Sequence, residues 1–336
     1  MTALIMQIPE TALEFNDQFN TNENCLAFLS QLRWPRGFIC PNCGHDDGYI
    51  LNTRPVIQCP VCRHQTSVTA GTIFHKTRIP LRVWFYIIYS MSQDKGGASA
   101  TRLAEELGMY QTTVWHMMHK IRHGMGRRDE TITLAGFIEM DEAIIGPHAR
   151  RTKASKSILI DPIPAEAEIE KPKKPKQPGR GRPKKTGKNE KTQTPVLVLI
   201  EQEPSHAGVV AMKVLDAIAR RDIVEFVRQR VDESQHIKTD GFGAHHVLSS
   251  FNCSYKAVVC SGPAGCIELP CVHRAINLLK HFLMGTFFGV AVKHLQSYLN
   301  EYCFRFNRRD SAKPIWVSAL QACVFGFSPT YAELTS

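Results

Sequence analysis

Two groups of residues in this chain have the chemistry and spacing to hold metal ions. The first is a pair of acids on apolar, β-prone runs. Asp141 lies within Gly136-Phe137-Ile138-Glu139-Met140-Asp141-Glu142-Ala143-Ile144-Ile145-Gly146, and Asp240 closes His236-Ile237-Lys238-Thr239-Asp240-Gly241. A mostly buried strand, with Phe137 and Met140 expected in the core, would carry Asp141 into a cleft. An unpartnered carboxylate there is costly, so Asp141 calls for a cation or strong hydrogen-bond donors. Taken alone, the stretch also fits a strand end whose Asp141 and Glu142 face solvent. The second group is Cys40-Pro41-Asn42-Cys43 and, after fifteen intervening residues, Cys59-Pro60-Val61-Cys62. Two C-x2-C knuckles at this separation fit a zinc ribbon, in which each turn offers a thiolate pair to one tetrahedral ion. Four thiolates close the coordination shell, so Zn2+ at Cys40, Cys43, Cys59 and Cys62 is expected to be structural; His45 and His64 are surplus.

The elements that must position these groups follow from composition and periodicity. A chain of 336 residues, 43% hydrophobic and without an 18-residue apolar run, is expected to be soluble with two or three domains. A formal charge of +10 favours a polyanionic partner, nucleic acid ahead of membrane. MTALIMQIPETALEF lacks the basic and apolar regions of a secretory signal, so the remaining cysteines are read as cytosolic thiols, not disulfides. Residues 1–33 form an N-terminal helical segment, with Asn22 and Asn24 as candidate caps, and 34–76 form the ribbon. Residues 77–130 hold an apolar helix (78–92) and then a helix-turn-helix. Gln111, Thr112 and Thr113 open its recognition helix, and His119, Lys120, Arg122, His123, Arg127 and Arg128 form a basic continuation for phosphates. An ordinary helical hairpin is the alternative. The 150–194 segment is expected to be a flexible loop: Lys171 to Lys191 contains ten Lys/Arg and four Pro. Its Pro178-Gly179-Arg180-Gly181-Arg182-Pro183-Lys184-Lys185 has the form of an AT-hook, with Arg180 and Arg182 suited to a narrow minor groove. A solvated linker fits that stretch equally well.

Beyond the loop, strands are expected at 195–200 and 208–214, a helix at 215–230, the strand ending on Asp240, and a strand at 255–260. Helices follow at 270–284 and 293–306. Three strands, a helix, and a strand ending on an acid is the order of the ribonuclease-H-like fold. The fold class is thus multidomain α+β: ribbon and helix-turn-helix, then an α/β ribonuclease-H-like domain over 131–330, interrupted by the loop. In that fold the two acids lie on neighbouring parallel strands and can share divalent ions. A third ligand comes from a late helix, with Lys or Arg seven residues on; in Pro270-Cys271-Val272-His273-Arg274-Ala275-Ile276-Asn277-Leu278-Leu279-Lys280 that position is His273.

The ribbon, the helix-turn-helix, GFIEMDEAIIG, IKTDGFGAHH, VHRAINLLKHFLMGTF and VKHLQSYLNEYCFRFNRR, in this order, resemble the bacterial insertion-sequence transposases of the DDE superfamily branch with an N-terminal zinc ribbon, the ISXO-like transposases. The resemblance spans about residues 27–327. It implies binding of terminal inverted repeats, then metal-dependent strand cleavage and strand transfer, with water and then a freed 3′-hydroxyl attacking a phosphodiester. Asp141 and Asp240 take the family's first two acidic positions. His273 stands where Glu is usual: imidazole is a poorer ligand for Mg2+ but suits Mn2+, and it can also carry a proton or orient a phosphate. Glu268 is an alternative ligand outside the seven-residue relation, and Lys280 is expected on the transposon end. The implied partners are double-stranded DNA of ends and target, and a second copy in a homodimer or larger synaptic complex. No membrane partner is expected, and the implied setting is the bacterial cytoplasm and nucleoid. A DNA-binding regulator that has lost catalysis is the rival reading. A ribbon-bearing RNA nuclease fits the helix-turn-helix poorly. A second zinc site from Cys260, Cys266, Cys271 and His273 lacks knuckle spacing. Asn300, Glu301, Arg305, Asn307, Arg308 and Arg309 are expected on the polar face of the last helix, Arg308 and Arg309 at solvent or on DNA.

Overall fold

A computed structural model describes residues 8–51, 56–146, 194–232, 234–251, 253–258 and 269–335. At the N-terminus, α1 (Ala12–Gln18) opens with a capping box in which Thr11 and Glu14 each satisfy the other's backbone N–H. Helix α2 (Asn22–Arg33) is capped by Thr21, not by the expected asparagines. The Asn22 side chain instead accepts a hydrogen bond from Leu81 N at 2.8 Å and ties α2 to the start of α3 (Leu81–Gln93). Between them lies a small antiparallel sheet of β1 (Tyr49–Ile50), β2 (Val56–Gln58) and β3 (Gln65–Ser67). Helix α4 (Ala100–Leu107) ends on Gly108, whose φ of 62° is the left-handed turn that glycine makes without strain. The chain then enters α5 (Gln111–Asp129), so a short helix, a tight turn and a longer helix follow one another.

The second unit is a five-stranded mixed sheet: β4 (Phe137–Ile145), β5 (Thr194–Gln202), β6 (Ala207–Val214), β7 (His236–Asp240) and β8 (Ser254–Val258), in the order β6-β5-β4-β7-β8. Strands β4, β5 and β6 run antiparallel, while β7 and β8 lie parallel to β4 and to each other. This is the ribonuclease-H-like arrangement, with the acid-bearing strand at the centre. Helix α6 (Arg220–Arg230) covers one face through Ile223, Phe226 and Val227 against Ile138, Met140 and Ile237. Helices α7 (Pro270–Gly285) and α8 (Val292–Phe306) cover the other face over β5, β6 and part of β4. Helix α6 starts at Arg220, not at 215, because Leu215 N still bonds to Pro195 O at 2.9 Å and continues the sheet. Met140 is fully buried as expected, but Phe137 is 62% exposed: it begins the strand outside the helical cover and stacks on His236.

The last long helix, α9 (Ile315–Phe325), packs away from the sheet. Its Trp316, Val317, Leu320 and Val324 join Phe15, Phe28, Phe85 and Met118 in the N-terminal core. The two units are joined along α5 and α8. A Cβ on Gly126 would collide with the Asn300 side chain, so with Asn300 in this position the approach calls for glycine. Of the polar residues at this end of α8, Glu301, Asn307 and Arg308 serve the same join, not the expected polar face, whereas Arg309 stays exposed at a solvated helix end. Glu301 is fully buried against Arg122, Arg308 Nη2 lies 2.7 Å from Asp129 Oδ1, and Asn307 Oδ1 accepts Val210 N at 2.8 Å. Arg309 donates to the Ala207 carbonyl. No helix among the described residues is long and apolar enough to cross a membrane.

Candidate active site

Parallel pairing of β4 with β7 runs through Met140 opposite Thr239, which brings Asp141 and Asp240 side by side at the next position. The third group arrives on α7, and its placement begins with a residue of β4. Glu139 is fully buried, on the same face of the strand as Asp141, and its Oε2 accepts the Val272 N–H at 2.8 Å. That bond satisfies one of the free donors in the first turn of α7 and anchors the turn over the strand. The next residue is His273, whose Nε2 lies 3.2 Å from Asp141 Oδ2. The Glu142 N–H donates to Asp141 Oδ1 at 2.8 Å. Burial pushes the Asp141 carboxyl above its ordinary range, and the nearby charges of Asp240 and Glu142 add to this, against the opposing pull of the Glu142 N–H and His273. Asp141 and His273 thus pair directly, with Asp240 on the neighbouring strand. Carboxylate and imidazole are donors that suit a hard or borderline divalent ion, but the three do not form one cluster with all ligand atoms within 4.8 Å. Lys280 is exposed on α7, two turns beyond His273.

On the other side of Asp240 stands a group that the sequence reading missed. His245 opens a 3-10 helix (His245–Ser250) and is fully buried. Its Nε2 lies 2.6 Å from Glu142 Oε1 and its Nδ1 lies 2.9 Å from Asp240 Oδ1. Burial by itself would lower the His245 pKa, yet the hydrogen bond to Glu142 and the charges of Glu142 and Asp240 raise it overall. Glu142, Asp240 and His245 can bring ligand atoms within 4.8 Å of one another, close enough for a metal. The imidazole nevertheless meets the two carboxylates with opposite nitrogens, which is the geometry of a strut and not of ligands aimed at one ion. The only local sequence signal was the paired His245-His246 just after Asp240.

The four ribbon thiols converge, with Cys40 Sγ 3.5 Å from Cys62 Sγ and Cys43 Sγ 3.5 Å from Cys59 Sγ. All four ligand atoms lie within 4.8 Å of one another, which fits a tetrahedral zinc with bonds of about 2.3 Å. Gln111 and Thr112 are exposed at the start of α5 and Thr113 is half-buried; Gln111 Nε2 donates to Thr101 Oγ1 at 3.3 Å. The basic continuation is largely turned inward. Arg122 is only 1% exposed, bonded through Nε to Glu301 at 2.7 Å and stacked on Tyr298, so it cannot serve as a phosphate contact here. His119 is fully buried, and Lys120 is half-buried and donates to Ser328 Oγ. An α-helix buried on two sides hides basic residues that a linear pattern assigns to its surface; only Arg127 and Arg128 stay exposed. Arg180, Arg182, Glu268, Cys260 and Cys266 lie outside the described residues.

Residues 20–65 match the transposase zinc-ribbon domain, and residues 166–307 match the ISXO2-like transposase domain. The first match takes in all four ribbon cysteines. The second takes in Asp240, His273 and Lys280, and Asp141 precedes it. The chain is 23% identical over 317 residues to the uncharacterized protein in transposable element ISH50 of Halobacterium salinarum, covering 90% of this chain and 98% of that protein. Among solved structures, it is similar to the Mos1 transposase paired-end complex with left transposon end at 12% identity and a TM-score of 0.25, over 71% of this chain and 75% of that one. It is likewise similar to the Mos1 mariner paired end complex with Mn at 13% identity and a TM-score of 0.27, over 70% and 74%. The chain thus carries, in order along one polypeptide, a match to the transposase zinc-ribbon domain and a match to the ISXO2-like transposase domain.

Proposed function

We propose that this transposase binds the terminal inverted repeats of an insertion sequence and catalyses metal-dependent DNA strand cleavage and strand transfer. The observation that supports the chemistry is the parallel pairing of β4 with β7, which puts Asp141 and Asp240 at neighbouring strand positions, together with His273 Nε2 3.2 Å from Asp141 Oδ2. In this reading Asp141, Asp240 and His273 hold the divalent ion. Bound there, Mg2+ or Mn2+ supplies Lewis acidity and neutralises charge on the phosphate. The Glu142 N–H and His273 draw Asp141 toward its ionised form, while burial and the charges of Asp240 and Glu142 hold its pKa above the usual carboxylate range. Glu139 fixes the first turn of α7 and so sets where His273 stands. Lys280, about 10 Å further along the helix at 1.5 Å per residue, offers an exposed ammonium to the backbone of the transposon end. Gln111, Thr112 and Thr113 read base edges from the start of α5. Arg180 and Arg182 add salt-dependent minor-groove affinity, and Lys120 a weaker phosphate contact from its half-buried position. Two ends must be held together, so the working form is a homodimer or larger assembly. The domain roles are a ribbon over 34–76, a helix-turn-helix over 77–130 and catalysis over 131–330.

The test is cleavage and joining of a duplex bearing the element's own terminal repeat, in Mg2+ and in Mn2+. Wild type is compared with Asp141→Asn, Asp240→Asn and His273→Ala. The expected result is activity reduced at least about a thousandfold in both Asp variants and strongly reduced in His273→Ala. Specific binding by wild type with no cleavage in either metal would instead identify a DNA-binding regulator. Cleavage indifferent to His273→Ala would remove His273 from the ligand set and direct attention to Glu268.

A further inference from the structure

Alternation along three parallel strands fixes which side chains share the active-site face. On β4 these are Phe137, Glu139 and Asp141; on β7, His236, Lys238 and Asp240; on β8, Ser254, Lys256 and Val258. The register aligns them into rows. Phe137 is opposite His236, and His236 is opposite Ser254; Glu139 is opposite Lys238, and Lys238 is opposite Lys256. Helix α7 lies against β4 and β5, and α8 lies against β6. Among the described residues this face is uncovered over the first part of β7 and β8, where His236, Ser254 and Lys256 are exposed and Lys238 is half-buried, while Val258 at the end of β8 is buried.

Three features make the open strip a binding surface for a nucleic-acid strand. The first is charge: two lysines stand on neighbouring strands about 4.8 Å apart in direct register. The second is an aromatic platform, Phe137 stacked on His236 with centroids 4.8 Å apart and planes 16° apart. The third is shape: Phe137, Gln202, His236, Lys238, Ser254 and Lys256 line a cavity of about 260 Å³. Lysines for phosphates beside an exposed ring for a base is the composition of a single-strand site. Lys238 is two residues from Asp240 along β7, about 6.6 Å, roughly two nucleotides at a rise of about 3.4 Å.

The sheet order also indicates which strand. The helix-turn-helix is joined to the catalytic unit through α5 and α8, on the β6 side, whereas the strip lies across the acids on the β7–β8 side. DNA held by α5 that reaches Asp141 and Asp240 leaves the element over this strip. We propose that Lys238, Lys256 and the Phe137–His236 stack form a subsite for the flanking DNA strand immediately beyond the scissile phosphate. The subsite rests on the transposase reading for its neighbour, but its binding can be measured without any cleavage.

The experiment measures binding of the full-length chain by fluorescence anisotropy. The probes are terminal-repeat duplexes that end bluntly or continue into a five-nucleotide single-stranded flank. Wild type should bind the flanked end about tenfold more tightly, and the salt dependence should fall by about one unit of slope for each lysine removed. In Lys256→Ala and Phe137→Ala, both altered at exposed positions, the flank advantage should shrink to within about twofold while blunt-end affinity stays unchanged. Joining of pre-cut ends into target should remain near wild type. A flank advantage that survives both substitutions, or that wild type never shows, overturns the subsite. So does a collapse of joining with the flank advantage intact, which would assign the strip to target DNA. A lysine that only discourages pairing at the edge of the sheet predicts no change in DNA binding for Lys256→Ala. Flank-dependent binding by a chain that never cleaves would retain the subsite and sink the catalytic reading.

Discussion

His119 shows what a single buried side chain costs this protein. Its ring packs 3.9 Å from Trp115, both ring nitrogens lack a hydrogen-bond partner, and burial, with the nearby Arg122 charge, holds its pKa down from 6.5 to about 2. The folded state therefore keeps His119 neutral while the unfolded chain takes up a proton below pH 6.5. Stability must fall as pH drops through that value, by about 1.4 kcal/mol per pH unit from this residue. His123, whose pKa burial also depresses, acts in the same direction. Urea unfolding at pH 7.5 and pH 5 should show His119→Phe losing about 2 kcal/mol less than wild type on acidification. Equal losses in both proteins would mean that His119 is hydrated or protonated in the folded state. Glu139 makes the opposite use of burial: its backbone bond turns a costly carboxylate into the anchor of the helix that carries His273.

At the scale of elements, α5 has two duties. Its first turn is exposed in the manner of a recognition helix, while its middle is clamped between α8 and α9. The clamp on α8 is the Arg122–Glu301 pair at 2.7 Å, with Arg305 on the second carboxylate oxygen at 3.5 Å and the guanidinium 4.0 Å over Tyr298. Removing one partner strands a buried charge. Arg122→Met and Glu301→Met should each cost about 3–5 kcal/mol in urea unfolding, and the two together considerably less than their sum. Additive losses would show that the pair is not coupled. Because the clamp is internal, Arg122→Met should weaken DNA binding only in proportion to the unfolded fraction, unlike a phosphate-contacting arginine.

Across the whole molecule, the path of the chain makes the two units interdependent. The polypeptide leaves the N-terminal helices, builds the sheet, and returns through α9 to complete the core from which it started. Trp316 sits at the centre of that return, 1% exposed, stacked on Phe28 at 5.7 Å and edge-on to Phe15 at 5.3 Å. Trp316→Ala should destabilise the N-terminal unit by about 3–5 kcal/mol. If α5 reads the terminal repeat as proposed, the loss should appear as weaker terminal-repeat binding at 37 °C, although Trp316 belongs to the opposite end of the sequence from α5. Unchanged binding together with a lowered unfolding midpoint for the sheet alone would contradict this architecture.

Local signals carried much of this protein. Cysteine spacing was enough for the ribbon, because two C-x2-C turns at this separation bring four thiolates to one tetrahedral site. Period-2 apolar runs and their order were enough for the strands and the ribonuclease-H-like class, since strand burial is written in alternation. Gly108 marked the turn between α4 and α5 through its backbone freedom. Tertiary structure decided what depends on neighbours remote in sequence. Arg122 and Glu301 look like surface residues until α5 meets α8, and Phe137 looks like core until α7 is seen to stop short of the strand's start. Nothing local tells which core α9 will join. The bond from Glu139 to the first turn of α7, the His245 strut between Glu142 and Asp240, and the row of Lys238 and Lys256 arise only from strand register and helix docking. A sequence fixes each residue's own preferences, but the field and contacts at a site are sums over groups that only the folded chain brings within a few ångströms.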